Sequence, residues 1–206
     1  MNRPFVRSTL TVLLALTLSH ASAQEGSDPA TASAPAPVIV ALGDSVTAGF
    51  GLGPRDKFSA LLQRRLAEEG YPHKIVNAGR NGDSTTGALR RLDRVLVPDT
   101  RILLVALGGN DRRLGASADT IYKNLSQIIE QAQARDIKVL LCDMNTGIEG
   151  MLIRLAERYH AGLVPSMMED VRADPGLRLP NNHPNRIGAR LIAEMIWTHL
   201  QPMLGE

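Results

Sequence analysis

The chain has 206 residues, enough for one domain with a sizeable hydrophobic core and too few for two ordinary domains. Its formal charge of +2 includes Arg3 and Arg7 at the N-terminus; without these two of the 23 basic residues, 21 basic residues face 21 acidic ones. A neutral chain in which only 3% of the residues are aromatic lacks the positive charge and the stacking side chains that nucleic-acid binding uses, so we exclude that class of function.

Residues 1–23 have the pattern of a secretory signal peptide. The two arginines precede an apolar run from Leu10 to Leu18, and the segment ends in Ala21-Ser22-Ala23, the small-residue pattern of a cleavage site. The apolar run is well short of the ~20 residues that span a bilayer, so we predict cleavage before Gln24 and no transmembrane anchor in the mature protein. The protein is therefore expected to be exported, to the periplasm or beyond the cell.

Residues 24–37 are predicted to form a flexible linker, because they are rich in Ala, Pro, Ser and Thr and hold almost no large apolar side chain. We expect the folded domain to occupy residues 38–206. In this region, short apolar runs alternate with amphipathic stretches. The runs predict five strands, at Val38–Leu42, Lys74–Asn77, Arg101–Leu107, Lys138–Asp143 and Gly162–Val164.

Apolar residues recur at helical spacing between these strands, as in Phe58, Leu61, Leu62 and Leu66. Alternating strands and helices predict an α/β fold, a three-layer α/β/α sandwich around a mainly parallel five-stranded sheet. Sites in such sheets form beyond the carboxyl ends of the strands, so the loops that follow the strands are where functional residues are expected.

The first of these loops contains Gly43-Asp44-Ser45, which places a serine hydroxyl at the end of a strand in a glycine-flanked turn. The loop after the second strand, Asn77–Ser84, contains glycines where a backbone N–H can point at a ligand. The loop after the third strand, Gly108–Asp111, contains Asn110, whose amide can donate to a developing oxyanion. Each of these motifs is alone also consistent with an ordinary turn or helix cap.

His183 lies in His183-Pro184-Asn185, directly before the last predicted helix. An imidazole on a loop there can act as a general base, although a lone histidine is more often a surface or capping residue. Four such signals in one order along the chain carry more weight together than any of them does alone.

Together these segments resemble the SGNH hydrolases, also called GDSL esterases, and are most similar to the bacterial periplasmic branch of thioesterases, lysophospholipases and arylesterases. The most specific matches are Ala41-Leu42-Gly43-Asp44-Ser45 and Leu107-Gly108-Gly109-Asn110-Asp111, and the resemblance runs from Ala41 to about Leu200. It implies a flavodoxin-like SGNH fold and a small-molecule ester or thioester substrate, including lipid acyl chains. It implies no metal and no cofactor, and we expect a monomer.

The resemblance also implies a role for each motif residue. Ser45 would be the nucleophile and its own N–H would donate to the oxyanion, with Gly82 supplying a second N–H and the Asn110 side chain a third donor. His183 would accept the proton of Ser45 and later return it to the leaving group.

One position departs from the family pattern. The family usually places an aspartate three residues before the histidine, and this chain has Pro180 there. In the serine-protease template, replacing the corresponding aspartate by its amide lowers turnover by ~10⁴. Three interpretations remain open: a backbone carbonyl, Asn181 or Asn182 holds His183 and gives a Ser-His dyad; Asp174 reaches in from the preceding loop; or the protein is a weakened or inactive member.

The function hypotheses follow from these interpretations. A hydrolase of carboxylic esters or thioesters comes first. A carbohydrate O-deacetylase would use the same residues, but the shortage of aromatic residues argues against sugar stacking. A non-catalytic SGNH-like binding module is favoured by Pro180 alone. Labelling of Ser45 by a fluorophosphonate separates the enzymes from the binding module, because it requires an activated hydroxyl.

Other reactive residue types are predicted to be structural. Cys142 is the only cysteine and lies in an apolar run, so we expect a buried, inert thiol. His160 and His199 fall at the end of one helix and within another, and Asp44 and Asp111 are expected to cap turns or to bind backbone N–H groups.

Two further sets have more than one interpretation. Arg112 and Arg113 follow Asn110 and are expected to be a solvated surface pair rather than a site for an anionic leaving group. Four methionines either line an acyl groove or fill the core, namely Met144, Met151, Met167 and Met168.

Overall fold

The computed structural model describes residue 1 and residues 35–144 and 146–205. The predicted signal peptide from Asn2 onward and the predicted linker as far as Ala34 lie outside the described residues. Chain contacts group Pro35–Glu206 into one compact unit. Among the described residues, no helix has the length and apolar character that crossing a membrane requires.

The unit contains a five-stranded parallel sheet in the order β2-β1-β3-β4-β5. Its strands are β1 Val38–Gly43, β2 Lys74–Gly79, β3 Thr100–Ala106, β4 Lys138–Cys142 and β5 Gly162–Val164. The helices are α1 Ser45–Ala48, α2 Phe58–Glu68, α3 Thr85–Val95, α4 Ala118–Gln133, α5 Glu149–Tyr159, α6 Glu169–Ala173 and α7 Arg186–Leu200, with single 3₁₀ turns at Pro175–Leu177 and Gln201–Met203.

Alternate residues of each central strand face opposite layers of helices. In β1, Ile39 and Ala41 pack with α2 and α7, whereas Val40 and Leu42 pack with α3, α4 and α5. Because strand side chains alternate with a period of two and both faces are covered, the central strands are continuously apolar. This arrangement confirms the predicted three-layer α/β/α sandwich.

The second strand is longer than predicted, and this corrects the predicted loop at its end. Asn77, Ala78 and Gly79 pair in parallel with residues of β1, so the loop begins at Arg80. Gly79 is required there for close approach rather than for a turn, because a Cβ at this position would lie 2.2 Å from the backbone nitrogen of Ala48. The glycine therefore lets α1, which begins with Ser45, pack against the edge strand.

Candidate active site

Ser45 is the first residue of α1 and follows β1 after a single residue, Asp44. The Asp44 carboxylate caps the helix by accepting a hydrogen bond from the N–H of Val46 at 2.9 Å. At the first position of a helix the backbone N–H of Ser45 has no intrahelical acceptor, so it is available to a ligand. The tight strand-to-helix turn thus holds the hydroxyl at the carboxyl end of β1.

His183 reaches Ser45 across 138 residues of sequence. Its Nε2 lies 2.8 Å from the Ser45 Oγ, a hydrogen-bond distance at which the ring nitrogen can accept the hydroxyl proton. The imidazole is half-buried and lies beside the ring of Phe50, with a distance of 4.9 Å between the ring centroids. Phe50 was not identified as a site residue from the sequence. The only feature of the sequence that could have indicated it is its position shortly after the serine motif.

The other ring nitrogen of His183 faces Asn181. Nδ1 lies 3.2 Å from both the backbone oxygen and the side-chain Oδ1 of Asn181. Asp174, the alternative partner, is exposed and its carboxylate instead accepts from the N–H of Gly176 at 2.7 Å. The structure therefore brings Asn181 to the imidazole and uses Asp174 in a local cap.

Gly82 lies on the exposed loop between β2 and α3, with a left-handed φ of 73°. In the described part of the chain, its N–H meets no acceptor. The next residue anchors the loop, because the carboxylate of Asp83 forms a largely buried ion pair with Arg91, with Nη2 to Oδ2 at 2.7 Å. The same arginine reaches the carbonyl oxygen of Gly43, which ties this loop to the end of β1.

Asn110 is buried where the loops after β1, β2 and β3 meet. Its Nδ2 donates to the carbonyl oxygen of Asp83 at 2.8 Å and lies at a longer 3.3 Å from Oδ2 of Asp44. Its Oδ1 accepts from Arg113 at 2.7 Å. Arg113 is exposed, as expected for a surface arginine, but it also binds the side chain of Asn110. The sequence places Arg113 three residues after Asn110 but does not show their contact.

The two predicted structural aspartates do bind backbone N–H groups. Asp111 is fully buried and accepts from the N–H and the hydroxyl of Thr85, which fixes the loop after β3 to the start of α3. Asp44 caps α1, and burial raises the pKa of its carboxyl, an effect that the hydrogen bond from Val46 and the charge of His183 partly offset.

A cleft of about 470 Å³ opens beside the serine and the histidine. Asn110, Met144, Thr146 and Met168 contribute to its walls, and so does the guanidinium-bearing Arg178. The Thr146 hydroxyl is buried without a hydrogen-bond partner in the described structure. Of the four methionines, Met144 and Met168 reach the cleft, while Met151 and Met167 fill the two cores.

The remaining candidates lie away from Ser45. Cys142 is buried, and desolvation raises the pKa of its thiol to about 12, which confirms an inert side chain. His160 ends α5 in a left-handed conformation, and Nδ1 of His199 hydrogen-bonds within α7 to the oxygen of Met195 at 3.0 Å. Both histidines line a separate cavity at the opposite end of the sheet, near Lys138 at the start of β4. No group of three or more metal-ligating side chains occurs among the described residues.

Comparison with known proteins points to one family. Residues 41–191 match the GDSL-like lipase/acylhydrolase family. The chain is 34% identical over 186 residues to esterase TesA of Pseudomonas aeruginosa, covering 84% of this chain and 92% of that protein. It is 29% identical over 184 residues to thioesterase 1/protease 1/lysophospholipase L1 of Escherichia coli, covering 84% and 87%. A crystal structure of TesA superposes with a TM-score of 0.77 at 31% identity, covering 81% of this chain and 99% of that one.

Proposed function

Because the chain belongs to the GDSL-like lipase/acylhydrolase family and is an esterase or thioesterase enzyme of the SGNH type, we propose that it cleaves carboxylic esters or thioesters through an acyl-enzyme on Ser45. The observation that carries this proposal is the 2.8 Å contact between the Ser45 Oγ and the His183 Nε2. A serine hydroxyl is a weak nucleophile until a base accepts its proton, and this distance suits that transfer.

The reaction would proceed in two halves. As the Ser45 Oγ attacks the carbonyl carbon, its proton passes to the His183 Nε2, and the resulting imidazolium protonates the oxygen or sulfur of the leaving group. The carbonyl bond re-forms and the acyl group stays on Ser45. A water molecule then attacks the acyl carbon while His183 takes its proton. The imidazolium returns this proton to the Ser45 Oγ as the bond between Oγ and the acyl carbon breaks, which releases the carboxylic acid and restores the enzyme.

The negative charge that develops on the carbonyl oxygen would be stabilised by donors from three loops: the N–H of Ser45, the N–H of Gly82 and the Nδ2 of Asn110. One hydrogen of the Asn110 amide is used by Asp83, and the other makes only the 3.3 Å contact with Asp44. The oxyanion would replace this longer contact. Arg113, bound to Oδ1 of the same amide, would keep Nδ2 directed toward the site.

The substrate's acyl part would occupy the cleft beside Asn110. Met144 and Met168 give this cleft adaptable apolar walls, which suit a flexible acyl chain. Arg178 at its rim would tolerate an anionic group on the substrate. We also propose that the protein is exported and acts on ester or thioester substrates outside the cytoplasm, because of its predicted leader.

Labelling with a fluorophosphonate tests the proposal. The parent protein should be labelled at Ser45, as peptide mass spectrometry would show, and Ser45→Ala should not react. Ser117→Ala is a matched control, because the Ser117 hydroxyl caps α4 and has a threonine rather than a histidine beside it. A parent protein that reacts no faster than Ser45→Ala would contradict an activated serine.

A further inference from the structure

The position that normally carries a carboxylate is part of a tight turn in this chain. Asn182 donates its N–H to the oxygen of Leu179 at 2.9 Å, and Leu179 donates to the oxygen of His183 at 2.7 Å. Pro180 is the second residue of this turn, where its fixed φ is favourable, and Asn182 has a left-handed φ of 64° that asparagine tolerates. The sequence Pro-Asn-Asn thus builds a short, constrained loop directly before the histidine.

This turn places two acceptors of Asn181 against the imidazole. The backbone oxygen can only accept, so the hydrogen of the neutral ring lies on Nδ1, and Nε2 is left free to accept the proton of Ser45. The side-chain Oδ1 also accepts from the backbone N–H of His183 at 3.2 Å. Two donors converge on this atom, which fixes it as the amide oxygen and not the amide nitrogen.

None of the other charged groups near His183 replaces Asn181 as the partner of Nδ1. The carboxylate of Asp44 interacts electrostatically with His183, and burial disfavours its charged form. Arg172 and Arg178 line the same cleft and carry positive charge, which opposes the imidazolium. Asp174 is engaged by Gly176. Among the described residues, only Asn181 contacts Nδ1.

We propose that Asn181 is the positioning residue for His183, and that this enzyme works as a Ser-His dyad whose base is oriented by a neutral carbonyl and amide oxygen instead of a carboxylate. The inference rests on the proposed function, since it assigns His183 the role of base. Its physical consequence is that the imidazolium formed during catalysis is stabilised by two dipoles and lacks an adjacent full negative charge.

Asn181→Asp tests this directly, because it keeps the shape of the side chain and turns Oδ1 into part of a carboxylate. A negative charge beside Nδ1 favours the imidazolium, so the midpoint of the NMR titration of His183 should move up by about 0.5 to 1 pH unit. A buried charge would have a larger effect, but Asn181 is exposed and solvent screens its charge. Measured in a Ser45→Ala background, this readout does not depend on turnover. In the active protein, the acid limb of the kcat/KM profile should move to higher pH by the same amount, and kcat on its plateau should rise about threefold to tenfold.

Asn182→Asp is the matched control, since it adds the same charge one residue away without a contact to Nδ1. Its shift of the His183 midpoint should be at most half as large.

Asn181→Ala retains the backbone acceptor and should lower kcat about threefold to tenfold, with KM nearly unchanged. Equal midpoints in the two aspartate variants, or a larger change in Asp174→Asn than in either, would overturn the assignment. Absence of Ser45-dependent hydrolysis in the parent would instead refute the proposed function, and the NMR comparison would still decide the role of Asn181.

Discussion

At the scale of single residues, the site depends on side chains that already have partners before a substrate arrives. Ser45 and His183 contact each other, and Asn110 is held by Asp83, Asp44 and Arg113. In the proposed mechanism, this preorganisation would leave the donors little rearrangement to make when charge develops on the substrate. The arrangement also buries the carboxylate of Asp44 next to the proposed nucleophile, Ser45.

Removal of the Asn110 amide should weaken the transition state more than substrate binding. Asn110→Ala is expected to lower kcat by 10²–10³, roughly 3–4 kcal/mol, with a small change in KM. Steady-state kinetics on one ester would measure this effect. Asn124→Ala, which removes an amide that binds the hydroxyls of Thr85 and Thr86, is the control and should keep kcat within about threefold. An Asn110→Ala enzyme with parental kcat would exclude the side chain from the oxyanion hole.

Asp44 predicts a pH dependence of stability. Burial raises its pKa above the usual 3.8. Its favourable contribution to the stability of the fold is therefore fully present below pH 3.8 and is lost as the pH rises through the raised pKa. Asp44→Asn cannot ionise and does not lose this contribution. Urea denaturation between about pH 4 and pH 7 should therefore show the free energy of unfolding of Asp44→Asn increasing relative to the parent. The exposed control, Asp136→Asn, should show no such increase, and a flat or falling difference for Asp44→Asn would contradict the burial effect.

At the scale of elements, the site forms where the carboxyl ends of β1, β2 and β3 meet. The loops after these strands are linked to one another by Asp83, Arg91 and Asn110 rather than by regular secondary structure. Ser45 is held by the packing of α1 on β2, which Gly79 permits. His183 lies in the hairpin-like turn before α7, where Arg178 and Pro184 form a single antiparallel bridge.

The ion pair between Asp83 and Arg91 should contribute more to the free energy of unfolding than surface ion pairs of the same chemistry. Its side chains are 5% and 16% exposed, so Arg91→Ala leaves a nearly buried carboxylate and should lower the free energy of unfolding by about 3 kcal/mol. It should also lower kcat about tenfold, because the Gly82 loop loses its anchor. Arg135→Ala breaks the exposed pair with Asp93 and should cost less than about 1 kcal/mol. Equal losses of stability in the two variants would contradict this account of the loop.

Much of the architecture could be predicted from the sequence because buried parallel strands are continuously apolar, as Val38–Gly43 and Thr100–Ala106 are. The last two residues of β2, Ala78 and Gly79, could not, because a glycine there looks like the start of a turn, whereas the structure uses it for the close approach of α1. The partners of Asn110 could not be predicted either, since they depend on side-chain placement across loops that are distant in sequence. The sequence offered Asn181, Asn182 and Asp174 as partners of His183, but the choice among them depends on the geometry of one turn.

At the scale of the whole molecule, the protein combines a folded domain with a predicted leader and linker, and the chain from Gln24 onward carries equal numbers of basic and acidic residues. A bacterial host producing the full chain should process it before Gln24 and place it outside the cytoplasm, which intact mass and cell fractionation would show. Ala23→Leu removes the small residue before the predicted cut and should prevent processing. Cytoplasmic protein that retains Met1 would contradict the proposed export.

The central claim is that Ser45 and His183 form the catalytic pair despite Pro180. Hydrolysis of p-nitrophenyl esters, from acetate to long acyl chains, by the protein from Gln24 onward, Ser45→Ala and His183→Ala tests it most directly. We predict turnover by the unmutated protein and a loss of at least about a thousandfold in each variant, with the preferred acyl length defined by the cleft beside Asn110. An unmutated protein no faster than Ser45→Ala on every ester would contradict the account and favour a binding module.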